Sequence, residues 1–140
     1  MDDDFLGAHV ALFIGDRLLV ILRDDFAHIP SPNCWDFPGG TRDGDETPLQ
    51  TLRREVLEEV ALDLPKTAIC HQARYRSMNQ PDRFNWFYVA HLPARAEAAV
   101  TLGDEGQRWA LMTPTQFLAQ PNVVPSFPPQ LIAWMDANKA

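Results

Sequence analysis

The chain has 140 residues, a formal charge of −7, and 46% apolar against 22% charged residues. That balance fits one compact folded domain spanning residues 1–140 and excludes a disordered chain. The acidic excess argues against a nucleic-acid polymer or a membrane surface as partner, because both need a basic footprint.

An anionic small molecule stays open, since carboxylates that hold divalent cations create a positive site on an acidic protein. The two cysteines, Cys34 and Cys70, are too few for a disulfide scaffold and read as free thiols. The start, Met1 to Asp4, is acidic where a signal peptide would be basic. No apolar run reaches the roughly 18 residues of a membrane span. These features predict a cytoplasmic protein; oligomeric state is not legible.

Residues 9–14 and 18–22 are apolar runs flanking Gly15-Asp16, the pattern of two strands and a tight turn. A polar, proline-containing loop spans 24–33. A short strand at 35–37 ends at Pro38-Gly39-Gly40, a sequence that reads by itself as a turn. A helix is predicted over 47–60, with Pro48 near its start, where a missing N–H costs nothing. Leu49, Leu52, Val56 and Val60 recur at spacings of three and four and form one apolar stripe, widened by Leu57. Arg54, Glu55, Glu58 and Glu59 lie opposite. Strands follow at 69–75, 84–91 and 109–112. Thr113 caps a short helix to 118, and a last helix at 128–138 buries Leu131, Ile132, Trp134 and Met135. This irregular interleaving predicts an α/β (α+β) domain, a mixed sheet with helices packed on it.

The chemistry concentrates in residues 40–62. Glu55, Glu58 and Glu59 share one helix face at i, i+3 and i+4. Like charges at that spacing cost a helix a few tenths of a kcal/mol per pair. Two things can offset the cost: Arg53, Arg54 and solvent, or a hard cation. Mg²⁺ takes oxygen ligands in octahedral geometry and keeps several waters, which leaves positions for phosphate oxygens. Pro38-Gly39-Gly40, just ahead, lets backbone approach a ligand closely.

Together these residues resemble the Nudix hydrolase signature, G-x5-E-x7-R-E-U-x-E-E-x-G-U, with U a bulky aliphatic residue. Gly40, Glu46, Arg54, Glu55, Val56, Glu58, Glu59 and Leu62 fall on its positions. A chance match at a given start is of order 10⁻⁷ for residue types near 6–7% of composition. Ala61 stands where the signature has glycine, and costs about 1 kcal/mol if its φ is positive. The likeness extends over about residues 8–109, through WDFPGG, PDRFNWFYVA and DEGQRWALM, and is greatest to the MutT-type branch.

The resemblance implies an α/β/α sandwich around a mixed β-sheet. It implies Mg²⁺-dependent hydrolysis, with Mn²⁺ as a substitute, of a diphosphate linkage in a nucleoside diphosphate-X substrate. A nucleoside triphosphate, canonical or oxidised, leads; ADP-ribose, sugar nucleotides and dinucleoside polyphosphates follow. It makes Glu55, Glu58, Glu59 and Glu105 metal ligands, joined by the Gly39 carbonyl. Arg54 and Glu46 orient the carboxylates, and Glu55 or Glu105 accepts the proton from water. Arg23 faces the substrate phosphates, Gly40 and His28 line the site, and Phe37, Phe84 or Trp86 stacks on the base, whose edge Asn122 reads. His9, His71 and His91 are expected to be structural or exposed. A catalytically silent nucleotide-binding module is the rival of another class; it would be expected to have lost signature carboxylates, and all are present here. An isoprenyl diphosphate isomerase is a third reading, and lacks an obvious catalytic cysteine region.

Overall fold

The alternation of side chains along one long strand organises the molecule, of which the computed structural model describes residues 4–138. In chain order the elements are β1 (Phe5–Ile14), β2 (Arg17–Leu22), β3 (Trp35–Asp36), β4 (Gly39–Thr41), α1 (Pro48–Val60), β5 (Ile69–Arg76), β6 (Phe84–Leu92), β7 (Arg108–Met112), α2 (Pro114–Leu118) and α3 (Phe127–Ala137). Successive strand residues point to opposite faces. Ala8, Val10, Leu12 and Ile14 of β1 therefore meet Leu52, Val56 and Val60 of α1, while Ala11 and Phe13 meet Phe117, Phe127 and Leu131 of the other two helices. β2 and β6 divide in the same way, Leu19, Ile21, Tyr88 and Ala90 facing one core and Leu18, Val20, Phe87 and Val89 the other. A sheet with two apolar faces needs a helical layer on each, and the result is the expected sandwich.

The sheet is mixed. β1 runs parallel to β6 and antiparallel to β2 and β4; β2 also pairs with β3 and β7, and β5 forms the edge beside β6. Among the described residues no helix is long and apolar enough to cross a membrane. The acidic stretch Met1 to Asp3 lies outside the described residues.

α1 begins as its sequence predicts. Thr47 caps it, its side chain accepting from the Gln50 N–H while Gln50 returns a bond to the Thr47 N–H, and Pro48 opens the first turn. Such a cap contributes about 1 kcal/mol. Full burial of Leu52, Val56 and Val60 contributes about 1.5–3 kcal/mol each. The helix ends at Ala61, with φ 61° and ψ 27°, whose N–H donates to the Leu57 carbonyl.

Four expectations are corrected. β1 starts at Phe5, well before residue 9, because Phe5 already pairs with Phe84. Gly39-Gly40-Thr41 is a strand paired with residues 7–9, not merely a turn. Leu57 and Ile132 are 59% and 43% exposed. Each follows a fully used core position, Val56 or Leu131, and one residue turns a helix by about 100°, off the buried stripe.

Candidate active site

The centre is built outward from one ion pair. Glu46, in the loop before α1, receives Arg54 Nε at 2.8 Å on one carboxylate oxygen and Arg54 Nη2 at 3.1 Å on the other. The Asp43 N–H and the Thr51 hydroxyl add bonds of 2.9 and 3.0 Å. The Arg54 guanidinium, ahead of these, holds the Glu46 carboxyl down at about 2. The same guanidinium reaches the Thr41 carbonyl at 3.0 Å, Glu55 at 3.0 Å and Glu58 at 3.4 Å. Arg54 thus joins the loop, β4 and the acidic face of α1 in one planar, bidentate fork.

Glu59 and Glu55 lie on the inner side of this network. Glu59 accepts the Gly39 N–H at 2.8 Å. Burial pushes its carboxyl up to about 8, against the effect of that bond. Burial, then a hydrogen bond with Glu58, pushes Glu55 up to about 7. The glycines are required by contact. A Cβ on Gly40 would lie 1.6 Å from a Glu55 carboxylate oxygen, and one on Gly39, where φ is 142°, would lie 2.2 Å from the Ala8 carbonyl.

The C-terminal end of α1 is tied to the loop that carries Glu105. The Gly103 N–H donates to the Glu59 carbonyl at 2.8 Å and the Thr101 N–H to the Val60 carbonyl at 3.0 Å. Two helix-end carbonyls that lack intrahelical partners are satisfied this way. The arrangement brings Glu105 near enough for its charge to raise Glu59 further.

A cavity of about 480 Å³ opens over these groups, lined by Arg23, Gly39, Gly40, Glu55, Glu59 and Glu105 among others. Six of the residues expected from sequence therefore share one hollow. Glu58 does not line it; its side chain is 57% exposed and turned to Arg54. His28 lines a smaller adjoining hollow of about 260 Å³, which shares Arg23, Glu59 and Glu105 with the first. Arg23 donates to Asp36 at 3.0 Å and to the Pro30 carbonyl at 2.9 Å.

Two expectations part from this geometry. Phe37 is buried between Phe117 and Phe127, with ring centroids 4.8 and 4.6 Å away, and lines neither hollow. Its strand alternation sends it to the second core, so it has no face for a base. Asn122 also lines neither hollow; its amide donates to the Asn33 carbonyl and its own carbonyl accepts the Trp35 N–H, so it braces two loops. Trp86 does reach the larger hollow.

The structure adds residues that sequence did not single out. Asp36 and His9 line the larger hollow, and burial lowers the pKa of His9. Asp36 is only 8% exposed, in a two-residue strand between aromatic neighbours. Asn79, Asn85 and Gln130 also line the same space; nothing in their spacing separates them from ordinary surface residues.

The donor chemistry fits a divalent cation. Glu55, Glu59 and Glu105 are hard oxygen donors facing one hollow, and the single guanidinium of Arg54 is shared among Glu46, Glu55 and Glu58 and hydrogen-bonds neither Glu59 nor Glu105. Among the described residues, no three acidic, histidine or cysteine side chains are gathered closely enough to hold a metal ion as they stand. The carboxylates instead satisfy one another through Gly39 and Arg54, bonds for which a cation would compete.

A sandwich that carries a glycine-flanked loop and an acidic helix beneath a polar hollow belongs to the diphosphate-cleaving hydrolases. The NUDIX domain model matches residues 5–135, and the chain belongs to the Nudix family as a pyrophosphohydrolase. No match was found among curated proteins. The chain is similar to the MutT protein of Methanosarcina mazei Go1, at TM-score 0.77 and 17% identity over 100% of this chain and 99% of that one. It is similar to an Ap4A hydrolase of C. elegans in a binary complex, at TM-score 0.68 and 17% identity over 94% and 98% of the two chains. It also matches a bifunctional NMN adenylyltransferase/ADP ribose pyrophosphatase of Francisella tularensis complexed with AMP and Mn ion, at TM-score 0.71 and 16% identity, over 97% of this chain and 42% of that one. At such identities these likenesses speak for the fold.

Proposed function

We propose that the protein hydrolyses the diphosphate linkage of a nucleoside diphosphate-X substrate with Mg²⁺, for which Mn²⁺ substitutes. The observation that carries this reading is the joint presence of Glu55, Glu59 and Glu105 in one hollow, with Gly39 and Gly40 pressed against two of them. Glu55, Glu58, Glu59 and Glu105 are the ligand set, with backbone of Gly39 beside it. A bound divalent cation supplies charge neutralisation at the phosphate oxygens and a lowered pKa for the attacking water.

The chain's own residues do the rest. Arg54 and Glu46 hold the carboxylates in place, acting through them and not on the substrate. Glu55, whose carboxyl stands near neutrality, accepts the proton of the attacking water, with Glu105 the other candidate. Arg23, which lines the same hollow, meets the phosphates. The larger hollow falls within the range of about 300–1,000 Å³ usual for small-molecule sites; it seats the nucleoside against Trp86 with amides of Asn85 and Gln130 at hand. As water forms its bond to one phosphorus, the bridging P–O bond breaks and its electron pair leaves with the departing phosphate. With X as phosphate, a nucleoside triphosphate gives the monophosphate and pyrophosphate.

The test is product identity. Chromatography of a nucleoside triphosphate reaction in Mg²⁺ is expected to show monophosphate and pyrophosphate in equal amounts. Diphosphate with inorganic phosphate would contradict the proposal.

A further inference from the structure

The larger hollow is walled by loops that are far apart in sequence. Pro30 and Ser31 come from the loop after β2, which starts at Arg23. Glu105 comes from the loop before β7, and Val124, Pro125 and Ser126 from the loop before α3. Loops move more than the elements they connect, so a site built from three of them needs a tie between them.

Asn33 is where the three meet. Its N–H donates to the Asp24 carbonyl at 3.1 Å and closes the first loop on itself. Its side-chain oxygen accepts the Gln107 amide at 2.9 Å, two residues beyond Glu105. Its backbone carbonyl accepts the Asn122 amide at 2.6 Å, two residues ahead of Val124. Further bonds run the same way. The Gln107 amide also donates to the Arg23 carbonyl at 2.8 Å, and the Gly106 N–H to the Asp24 carboxylate at 3.1 Å. The Asn122 carbonyl in turn accepts the Trp35 N–H at 2.9 Å.

The backbone of Asn33 is left-handed, with φ 57°. Residues with a Cβ rarely adopt that conformation, and asparagine is among the few that tolerate it. Such a conformation persists where surrounding structure over-determines it, as three hydrogen bonds do here. Asn33 is exposed and lines neither hollow. It therefore fills no core and touches no substrate.

We infer that Asn33 is a positioning residue, which holds Arg23, Glu105 and the wall at Val124 in one geometry through Gln107 and Asn122. This rests on the diphosphate hydrolysis proposed above, in which Glu105 is a cation ligand and Arg23 meets the phosphates. Glu55 and Glu59 are held instead by α1 and the Gly39 N–H. Loss of the tie should thus weaken binding of cation and substrate more than the chemical step.

The experiment uses two substitutions that both allow the left-handed turn. Asn33→Gly removes the acceptor for Gln107, and Asn33→Asp keeps it. Each is compared with the unaltered protein in two ways. Mn²⁺ affinity without substrate is read from the free-ion electron paramagnetic resonance signal. The constants kcat and KM are measured in Mg²⁺ for whichever of ATP, dGTP and ADP-ribose the unaltered protein turns over fastest. Asn33→Gly is expected to weaken Mn²⁺ binding by about tenfold and to raise KM by more than it lowers kcat. Asn33→Asp restores both. Either quantity unchanged in Asn33→Gly would overturn the inference, and so would Asn33→Asp no better than Asn33→Gly. Unaltered protein that binds Mn²⁺ but hydrolyses none of the three would contradict the hydrolase reading, and the Mn²⁺ comparison then decides the role of Asn33 by itself. Unaltered protein that binds no Mn²⁺ would overturn both.

Discussion

Gly40 and Glu55 occupy space that a single methyl group would contest: a Cβ on Gly40 would fall 1.6 Å from the Glu55 carboxylate oxygen and 2.5 Å from its carboxyl carbon. The glycine is needed here for close approach, and the Glu55 side chain is positioned by β4 as much as by its own helix. Gly40→Ala is therefore expected to displace Glu55 and lower kcat by about a hundredfold, in line with the loss seen when supports of a metal site are removed. Thermal unfolding by circular dichroism should show the fold retained. A variant with full turnover would mean that Glu55 need not sit where it does.

Glu58 and Glu59 differ in place, and their variants should differ in effect. Glu59 is in the hollow, bonded to Gly39, whereas Glu58 is 57% exposed outside it. With saturating Mg²⁺, Glu59→Gln is expected to lower turnover by more than about a hundredfold. Glu58→Gln is expected to lower it less, and both should stay folded. Near-normal rates in both would remove the metal-site assignment.

The Glu46–Arg54 pair makes a pH prediction with a definite sign. The folded carboxyl stands at about 2, below its ordinary 4.5. A depressed carboxyl contributes stability that is present above pH 4.5 and lost as pH falls through 2. Glu46→Gln should be less stable than the unaltered protein at pH 7, and the gap in melting temperature should close as pH falls from 4.5 to 2. A gap of constant size across that window would show that the charge of Glu46 is not what stabilises the loop.

Ala61 offers a gain. Its φ of 61° is left-handed, which costs a residue with a Cβ roughly 1–2 kcal/mol relative to glycine. Ala61→Gly should raise stability by about 1 kcal/mol, a rise of roughly 4 °C in a domain of this size, with turnover unchanged. Differential scanning calorimetry reads the first and the steady-state rate the second. A lower melting temperature would place the left-handed turn in doubt.

The site was legible where local chain geometry makes it. Arg54, Glu55, Glu58 and Glu59 lie within six consecutive residues of one helix, so periodicity alone put them on one face, and Thr47 with Pro48 announced where that helix begins. The left-handed turn at Ala61 was readable only through the resemblance, whose signature has glycine at that position. Long-range geometry was not legible. Nothing in the string Trp35-Asp36-Phe37 says that Asp36 faces the hollow while Phe37 is buried against α2 and α3; that depends on how β3 docks beside β2. Asn122 failed for the same reason, since the Asn33 carbonyl, 89 residues away in sequence, claims its amide. The strand formed by the glycine motif, β4, owes its pairing to β1, where the partners are Gly7 for Thr41, Ala8 for Gly40 and His9 for Gly39.

The most direct test is turnover of the metal-stripped protein before and after Mg²⁺ is returned, across nucleoside triphosphates, 8-oxo nucleotides, ADP-ribose and a dinucleoside polyphosphate, with Glu59→Gln run in parallel. The account predicts no reaction without the cation, hydrolysis of at least one diphosphate substrate on its return, and little or none in Glu59→Gln. Folded protein that leaves the whole panel intact in Mg²⁺ and in Mn²⁺, or that works equally well with the cation chelated, would contradict it.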